Sequence, residues 1–174
     1  MISISSNLNI MIKAVEKASK KVIRDFGEVE KLQVSKKGPR DFVTKTDKRV
    51  ENIIIEELGK TKKNYSILAE ETGEIKNKDN ENIWIIDPID GTINFLHGIP
   101  HFAICIALQS KNEIVSGLIF DPIKDEMFFA EKDKAGGGMG GGGNGGTGGG
   151  ANGAGDMGGA RGNDGAWGGG GLGG

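Results

Sequence analysis

Apolar residues recur at helical spacing through Leu8, Met11, Ile12, Val15, Ala18, Val22 and Phe26, and Gly27 follows as a natural stop. A second stripe, Val50, Ile53, Ile54 and Leu58, ends at Gly59 and predicts another helix from about Asp47. The period then shortens. Apolar runs at residues 66–69 and 83–86 read as strands, and runs at 102–109, 114–120 and 126–130 read as an antiparallel meander. Lys111-Asn112 and Asp121-Pro122 supply its turns. Two amino-terminal helices segregated from an antiparallel sheet predict an α+β fold.

Composition splits the chain into two materials. Residues 1–134 are rich in Ile, Lys, Glu and Asn, and a domain is expected over that span. Residues 135–174 hold 24 of the 31 glycines and contain no Ile, Val, Lys, Glu or Pro. Such a segment buries too little apolar surface to offset its ordering entropy, so a disordered tail with no fold is expected there. Met157, Trp167 and Leu172 are too sparse to build a core. A formal charge of -2 commits the chain neither to nucleic acid nor to a membrane surface. The single cysteine excludes an internal disulfide framework and fits a reducing compartment. No basic flank and apolar run marks a signal peptide at the start, and no run approaches the roughly 20 apolar residues of a spanning helix. A cytoplasmic location is the expectation.

The chemistry concentrates where the second of these strands ends, in Asp87-Pro88-Ile89-Asp90-Gly91-Thr92-Ile93-Asn94-Phe95. Two carboxylates stand three positions apart, followed at once by a glycine and a hydroxyl. Mg²⁺ is usually held by one or two carboxylates together with phosphate oxygens, and glycine-rich amides before a helix suit a phosphate. Taken alone, Asp-Pro and Asp-Gly are common turn dipeptides, and the turn would be the simpler reading. A second acidic pair, Glu70-Glu71, ends the preceding apolar run and is itself followed by Thr72-Gly73. Two strands finishing in acid at one sheet edge concentrate negative charge that a cation offsets.

These residues carry a resemblance. The run from Ile85 to Phe95 resembles the first signature of the inositol monophosphatase family, Mg²⁺-dependent phosphatases of small phosphate monoesters. Leu68-Ala69-Glu70-Glu71-Thr72-Gly73 is similar to that family's Glu-Glu element, and Asp41-Phe42-Val43-Thr44-Lys45-Thr46-Asp47 to its Asp-x-Val-Thr-x-x-Asp segment. Three elements in order and at the right spacing, spanning about residues 7–134, make the match specific. The resemblance implies the amino-terminal lobe of a layered α/β sandwich. It implies Glu70, Asp87, the Ile89 carbonyl and Asp90 as Mg²⁺ ligands, and the Gly91 and Thr92 amides as phosphate donors. Thr92 and Asp47 would orient and deprotonate a water, with Glu70 assisting as a catalytic group. Glu71, turned away by strand alternation, would support from behind. The implied partner is a small phosphorylated substrate, and family members are often homodimers.

Other positions have plainer readings. Asp47 could serve only as a first-turn acid of its helix. Lys36 and Lys37 lie in a polar loop and are expected to be solvated. His97 and His101 are separated by Gly98 and Pro100, which forbid the helix that would bring them to one metal, so packing or loop roles are expected. Cys105 alternates with apolar neighbours and reads as a buried strand residue.

The chain departs from the family beyond residue 134. The family continues into a second lobe carrying a Trp-Asp-x-Ala-x-Gly-type signature, whereas the tail's one tryptophan, Trp167, is followed by Gly168. A truncated or chimeric reading frame is the expectation. Inositol 1-phosphate is the leading substrate, because Asn94-Phe95 resembles inositol-type members, while histidinol, sugar and nucleotide phosphates stay open. The alternatives to an enzyme are a non-catalytic interaction module and an inactive fragment.

Overall fold

The computed structural model describes residues 4–32, 39–134 and 136–140. Helix α1 spans Ser6–Leu32 and helix α2 spans Pro39–Lys62. Then come β1 (Tyr65–Ala69), β2 (Gly73–Ile75), β3 (Asp79–Asp90), the short helix α3 (Thr92–Leu96), β4 (Ala103–Ser110), β5 (Glu113–Asp121), β6 (Glu126–Glu131) and β7 (Gly137–Gly140). The seven strands form one sheet in the order β2-β1-β3-β4-β5-β6-β7. The two helices pack on one face, α1 against β4 and β5 and α2 against β1 and β3, so that the α1 stripe from Leu8 to Phe26 shares one buried core with Trp84, Ile86, Ile104, Ile106, Leu108, Leu118 and Phe120. None of the described helices is long and apolar enough to cross a membrane.

Both helices overrun their expected limits. Gly27 does not stop α1, because Val29 extends the buried stripe by another turn and is fully buried. Gly27 itself is exposed, where glycine in a helix costs only about 1 kcal/mol. Helix α2 begins at Pro39, two turns before the expected start, since proline is pre-shaped for the first helical position. Asp47 therefore lies deep inside α2 and is no first-turn acid. Lys36 and Lys37 lie outside the described residues.

The sheet is mixed. The meander β4–β5–β6 is antiparallel as expected, and its Lys111-Asn112 turn takes φ values of 50° and 65°, the left-handed pair that a tight hairpin needs. Strand β1, however, pairs with β3 in parallel, Ala69 opposite Ile86. Strands β2 and β7 had no counterpart in the hydrophobic pattern. Strand β7 also corrects the expectation of no fold after residue 134, because Gly137–Gly140 pairs with β6, Met139 opposite Met127. Glycine permits this approach, since a Cβ at Gly137 would come within 2.7 Å of the Phe129 ring. Residues 141–174, including Met157, Trp167 and Leu172, lie outside the described residues.

Candidate active site

Pro88 sits inside β3, where it cannot donate to the ladder, and a central strand accepts proline only at an irregularity. The irregularity is a bulge. Asp87 stands opposite Cys105 and Asp90 opposite Ala103, so three steps on β3 match two on β4. In an unbroken strand, residues three apart point to opposite faces. The extra residue restores the parity, and Asp87 and Asp90 share the sheet face turned away from the helices. The Asp-Pro turn weighed from sequence is thus a bulged strand end.

Parallel pairing places the end of β1 beside the same bulge. The Glu70 amide donates to the Ile86 carbonyl at 3.2 Å, which sets Glu70 next to Asp87. Glu70 is exposed and Asp87 half-buried. From α2, on the other side, comes Asp47, 5% exposed. Burial pushes its carboxyl up to about 7, helped by Glu71 and then Glu70, Asp87 and Glu51. Asp87 is likewise pushed up to about 7, by burial first and then by its hydrogen bond with Glu70 and the charges of Glu70 and Asp90. Glu71 had been expected to point away by strand alternation. It stands in the turn after β1, where alternation no longer applies, and it is the charge that raises Asp47 most.

After the bulge the chain turns into α3 through Gly91, at φ 92° and ψ 35°, with no side-chain cap on the helix start. The first amides of a helix have no intrahelical acceptor and face outward toward an anion. The Thr92 hydroxyl donates to the Ile89 carbonyl at 2.8 Å rather than to Asp47. That carbonyl keeps a second lone pair. Asn94 Nδ2 donates to the His101 carbonyl at 2.8 Å and ties the following loop back over α3. A Cβ on Gly91 would meet that same carbonyl at 3.1 Å. Gly91→Ala is therefore expected to cost at least about 1–2 kcal/mol, the penalty of the left-handed conformation alone. A denaturant midpoint equal to that of the unsubstituted protein would refute the assignment.

A cleft of about 470 Å³ opens beside Asp90, Gly91 and Asn94 and runs along the open sheet face to His101, Asp121 and Phe128. His101 lines this cleft from the loop after α3, and both histidines are exposed rather than packed. Cys105 lies in a strand as expected but on the open face opposite Asp87, outside the core, and burial with the Asp90 and Asp87 charges pushes its thiol up to about 12.

The donor set suits a hard cation. Asp47 Oδ1 and Asp87 Oδ1 are buried without a hydrogen-bond partner, an expensive state for carboxylate oxygens unless a cation or proton attends them. Among the described residues no three His, Cys, Asp or Glu side chains close into a finished cage. An open set of two or three carboxylates and a carbonyl matches an ion that keeps several waters, as Mg²⁺ does.

The raised carboxyls give a pH dependence. Asp47 and Asp87 titrate near 7 when folded and near 3.8 as ordinary aspartates. Between those values the unfolded chain has released protons that the folded chain retains, so their contribution to stability falls as pH rises through the folded value. In chelator, the melting temperature is expected to drop between about pH 5 and about pH 8. Mg²⁺ should restore more of it at the higher pH, where the cation no longer competes with protons. Asp47→Asn should flatten the chelator curve, and a curve that keeps its slope would refute the shift.

The inositol monophosphatase family pattern matches residues 4–141. The chain is 54% identical over 134 residues to the inositol-1-monophosphatase of Rhizobium meliloti (strain 1021), covering 77% of this chain and 49% of that one. It is 42% identical over 123 residues to the Nus factor SuhB of Haemophilus influenzae, covering 71% and 46%. Among solved structures, it superposes on the extragenic suppressor protein suhB from Bartonella henselae with a TM-score of 0.67 and 41% identity, over 78% of this chain and 51% of that one. The inositol monophosphatase from Anabaena gives 0.62 and 32%, over 75% and 46%. The chain spans about half the length of these relatives. With its two helices packed on a mixed sheet, its bulged acidic strand end and its amide-lined turn, the chain belongs to the inositol monophosphatase family.

Proposed function

We propose that this chain is the amino-terminal half of a Mg²⁺-dependent phosphatase acting on inositol 1-phosphate or a similar small phosphate monoester. The observation that carries the reading is the meeting of Glu70, Asp87 and Asp90 at one sheet edge, with buried, unpartnered carboxylate oxygens on Asp87 and Asp47. Glu70, Asp87, Asp90 and the Ile89 carbonyl would hold Mg²⁺. Bound there, the ion would neutralise phosphate charge and lower the pKa of an attacking water.

The chain's own groups supply the rest. Asp47, held near 7, sits where it can take up a proton at neutral pH. The Thr92 hydroxyl is fixed by the Ile89 carbonyl, so its lone pairs face away from the strand and can align a water. The Gly91 and Thr92 amides would receive phosphate oxygens, with the helix start favouring their charge. The cleft beside Asp90 offers room for a polyol alcohol. A soluble cytoplasmic enzyme, working as a homodimer, is part of this reading.

The test is phosphate release from inositol 1-phosphate by the 174-residue chain, with Mg²⁺ and with chelator. Release that needs Mg²⁺ is expected, and release indifferent to chelator would overturn the proposal. A second reading, a non-catalytic interaction module, is favoured by the relatives named Nus factor SuhB. No release from a folded, cation-binding chain would favour it.

A further inference from the structure

Glu51 is an acid with no exposed surface at all, in the middle of the apolar stripe of α2. Burying a carboxylate is costly unless hydrogen bonds replace its water, and here they do. Its Oε2 accepts the Glu71 amide at 2.7 Å, and its Oε1 accepts the Thr72 amide at 2.9 Å and also the Thr72 hydroxyl. All three donors belong to the turn that carries Glu70. From the other side, the Glu70 amide is bound to the Ile86 carbonyl. The turn is thus clamped between the end of β3 and one buried side chain of α2.

We propose that Glu51 is a positioning residue for the cation site, setting where Glu70 stands. The inference rests on the cation reading above. Glu70 is exposed, and the side-chain hydrogen bond it makes, with Asp87, lies within the site itself. Its location depends on its backbone, and that backbone is held at Glu70 by β3 and at Glu71 and Thr72 by Glu51. Glu51 follows Asp47 by one helical turn, so both acids project from the same side of α2. One touches the site directly and is unpartnered at Oδ1; the other is fully engaged with the turn behind it. Any shift of α2 would move Asp47 and Glu70 together and preserve their spacing. Outer partners that orient a metal ligand typically change metal affinity by about 10–100-fold when removed, and Glu51 has that geometry.

The experiment uses Mn²⁺ as the probe and the full 174-residue chain, with affinity read by calorimetry and turn mobility read by amide hydrogen exchange in chelator. Glu51→Gln, which keeps one carbonyl acceptor and sets an amide against an N–H donor, is expected to weaken Mn²⁺ about 10–100-fold. Exchange at Glu70, Glu71 and Thr72 should accelerate, while Ile86 and Ile106 in the sheet keep their protection. Unchanged Mn²⁺ affinity in the folded variant overturns the proposal, and so does joint loss of protection in turn and sheet, which marks a general fold residue. Thr72→Val, on an exposed residue, removes only the hydroxyl donor and should show a smaller loss in the same direction. If Glu51→Gln does not fold, Thr72→Val decides, and unchanged affinity there overturns the role. Should the unsubstituted chain bind Mn²⁺ no better than Asp90→Asn, the cation reading itself falls and Glu51's role falls with it. An intact site indifferent to Glu51 sinks the positioning role alone.

Discussion

Phe95→Ala is expected to lower stability by about 3–5 kcal/mol, a large share of the 5–15 kcal/mol typical of a whole domain. Phe95 has no exposed surface and lies on α3, the five-residue helix that follows Gly91. Its ring sits 5.4 Å from Phe26 of α1 and 5.0 Å from Phe102, which precedes β4, and those two rings are 5.0 Å apart. The triangle joins the long helix, the turn at Gly91 and the strand beside the bulge. So short a helix has no stability of its own and stands only because this ring anchors it. Truncation leaves a cavity among three elements and a helix start with nothing beneath it. The melting temperature should fall by roughly 10–20 °C, read by circular dichroism. Phe95→Leu, which refills most of the volume, should recover the larger part. A drop of a degree or two in the alanine variant would show that the three rings do not meet.

Asp90→Asn is the second large effect and leaves the fold alone. Asp90 is exposed at the end of β3, and asparagine has the same shape, so stability in chelator should stay within about 0.5 kcal/mol. Any stabilisation by Mg²⁺ should nearly vanish, because one of the carboxylates proposed to hold the cation is gone. Any Mg²⁺-dependent phosphate release should fall by at least about 100-fold, the scale of losing one electrostatic partner of the transition state. A further signature is independent of turnover. The Asp90 charge is one cause of the raised Asp87 carboxyl and of the raised Cys105 thiol, so both should move back toward their ordinary values. Carboxyl and thiol titrations by NMR would read this. A variant with full Mg²⁺ response and unshifted titrations would mean that Asp90 does not face the site.

Much of the frame was legible because it rests on periodicity. The α1 stripe, the β4–β6 meander and the Lys111-Asn112 turn are local patterns with one sensible reading. The acidic motif was legible as chemistry, since carboxylates, glycine and hydroxyl in that order have few other uses. What escaped was long-range or depended on parity. Strand direction for β1 is not written in five residues whose pattern does not even alternate. The start of α2 is signalled by Gly38-Pro39, two turns before Asp47, where the apolar stripe would begin the helix. The bulge could have been inferred from Pro88 inside an apolar strand, and with it the common face of Asp87 and Asp90. Glu71 was misdirected by extending a strand rule one residue past the strand. Glu51 gave a single clue, a carboxylate among Val50, Ile53 and Ile54, which resembles an ordinary interruption until its hydrogen-bond partners are seen. Strand β7 gave none, because a run of glycines has no side-chain pattern to read.

The direction of β1 carries more than architecture. Five strand residues span about 17 Å, so the same strand laid antiparallel against β3 would hold Glu70 that far from Asp87. The apolar run of β1 leaves that direction open, whereas the meeting of Glu70 with Asp87 requires the parallel one. What the crossover through β2 preserves is polarity in the vector sense: it returns the chain to the far end of the sheet so that β3 runs out alongside β1 and both arrive at the acid edge together. A simple hairpin at that point would part Glu70 from Asp87 and Asp90. Reordering or circularly permuting these two strands is therefore a sharper way to separate foldability from reactivity in this lobe than any single substitution.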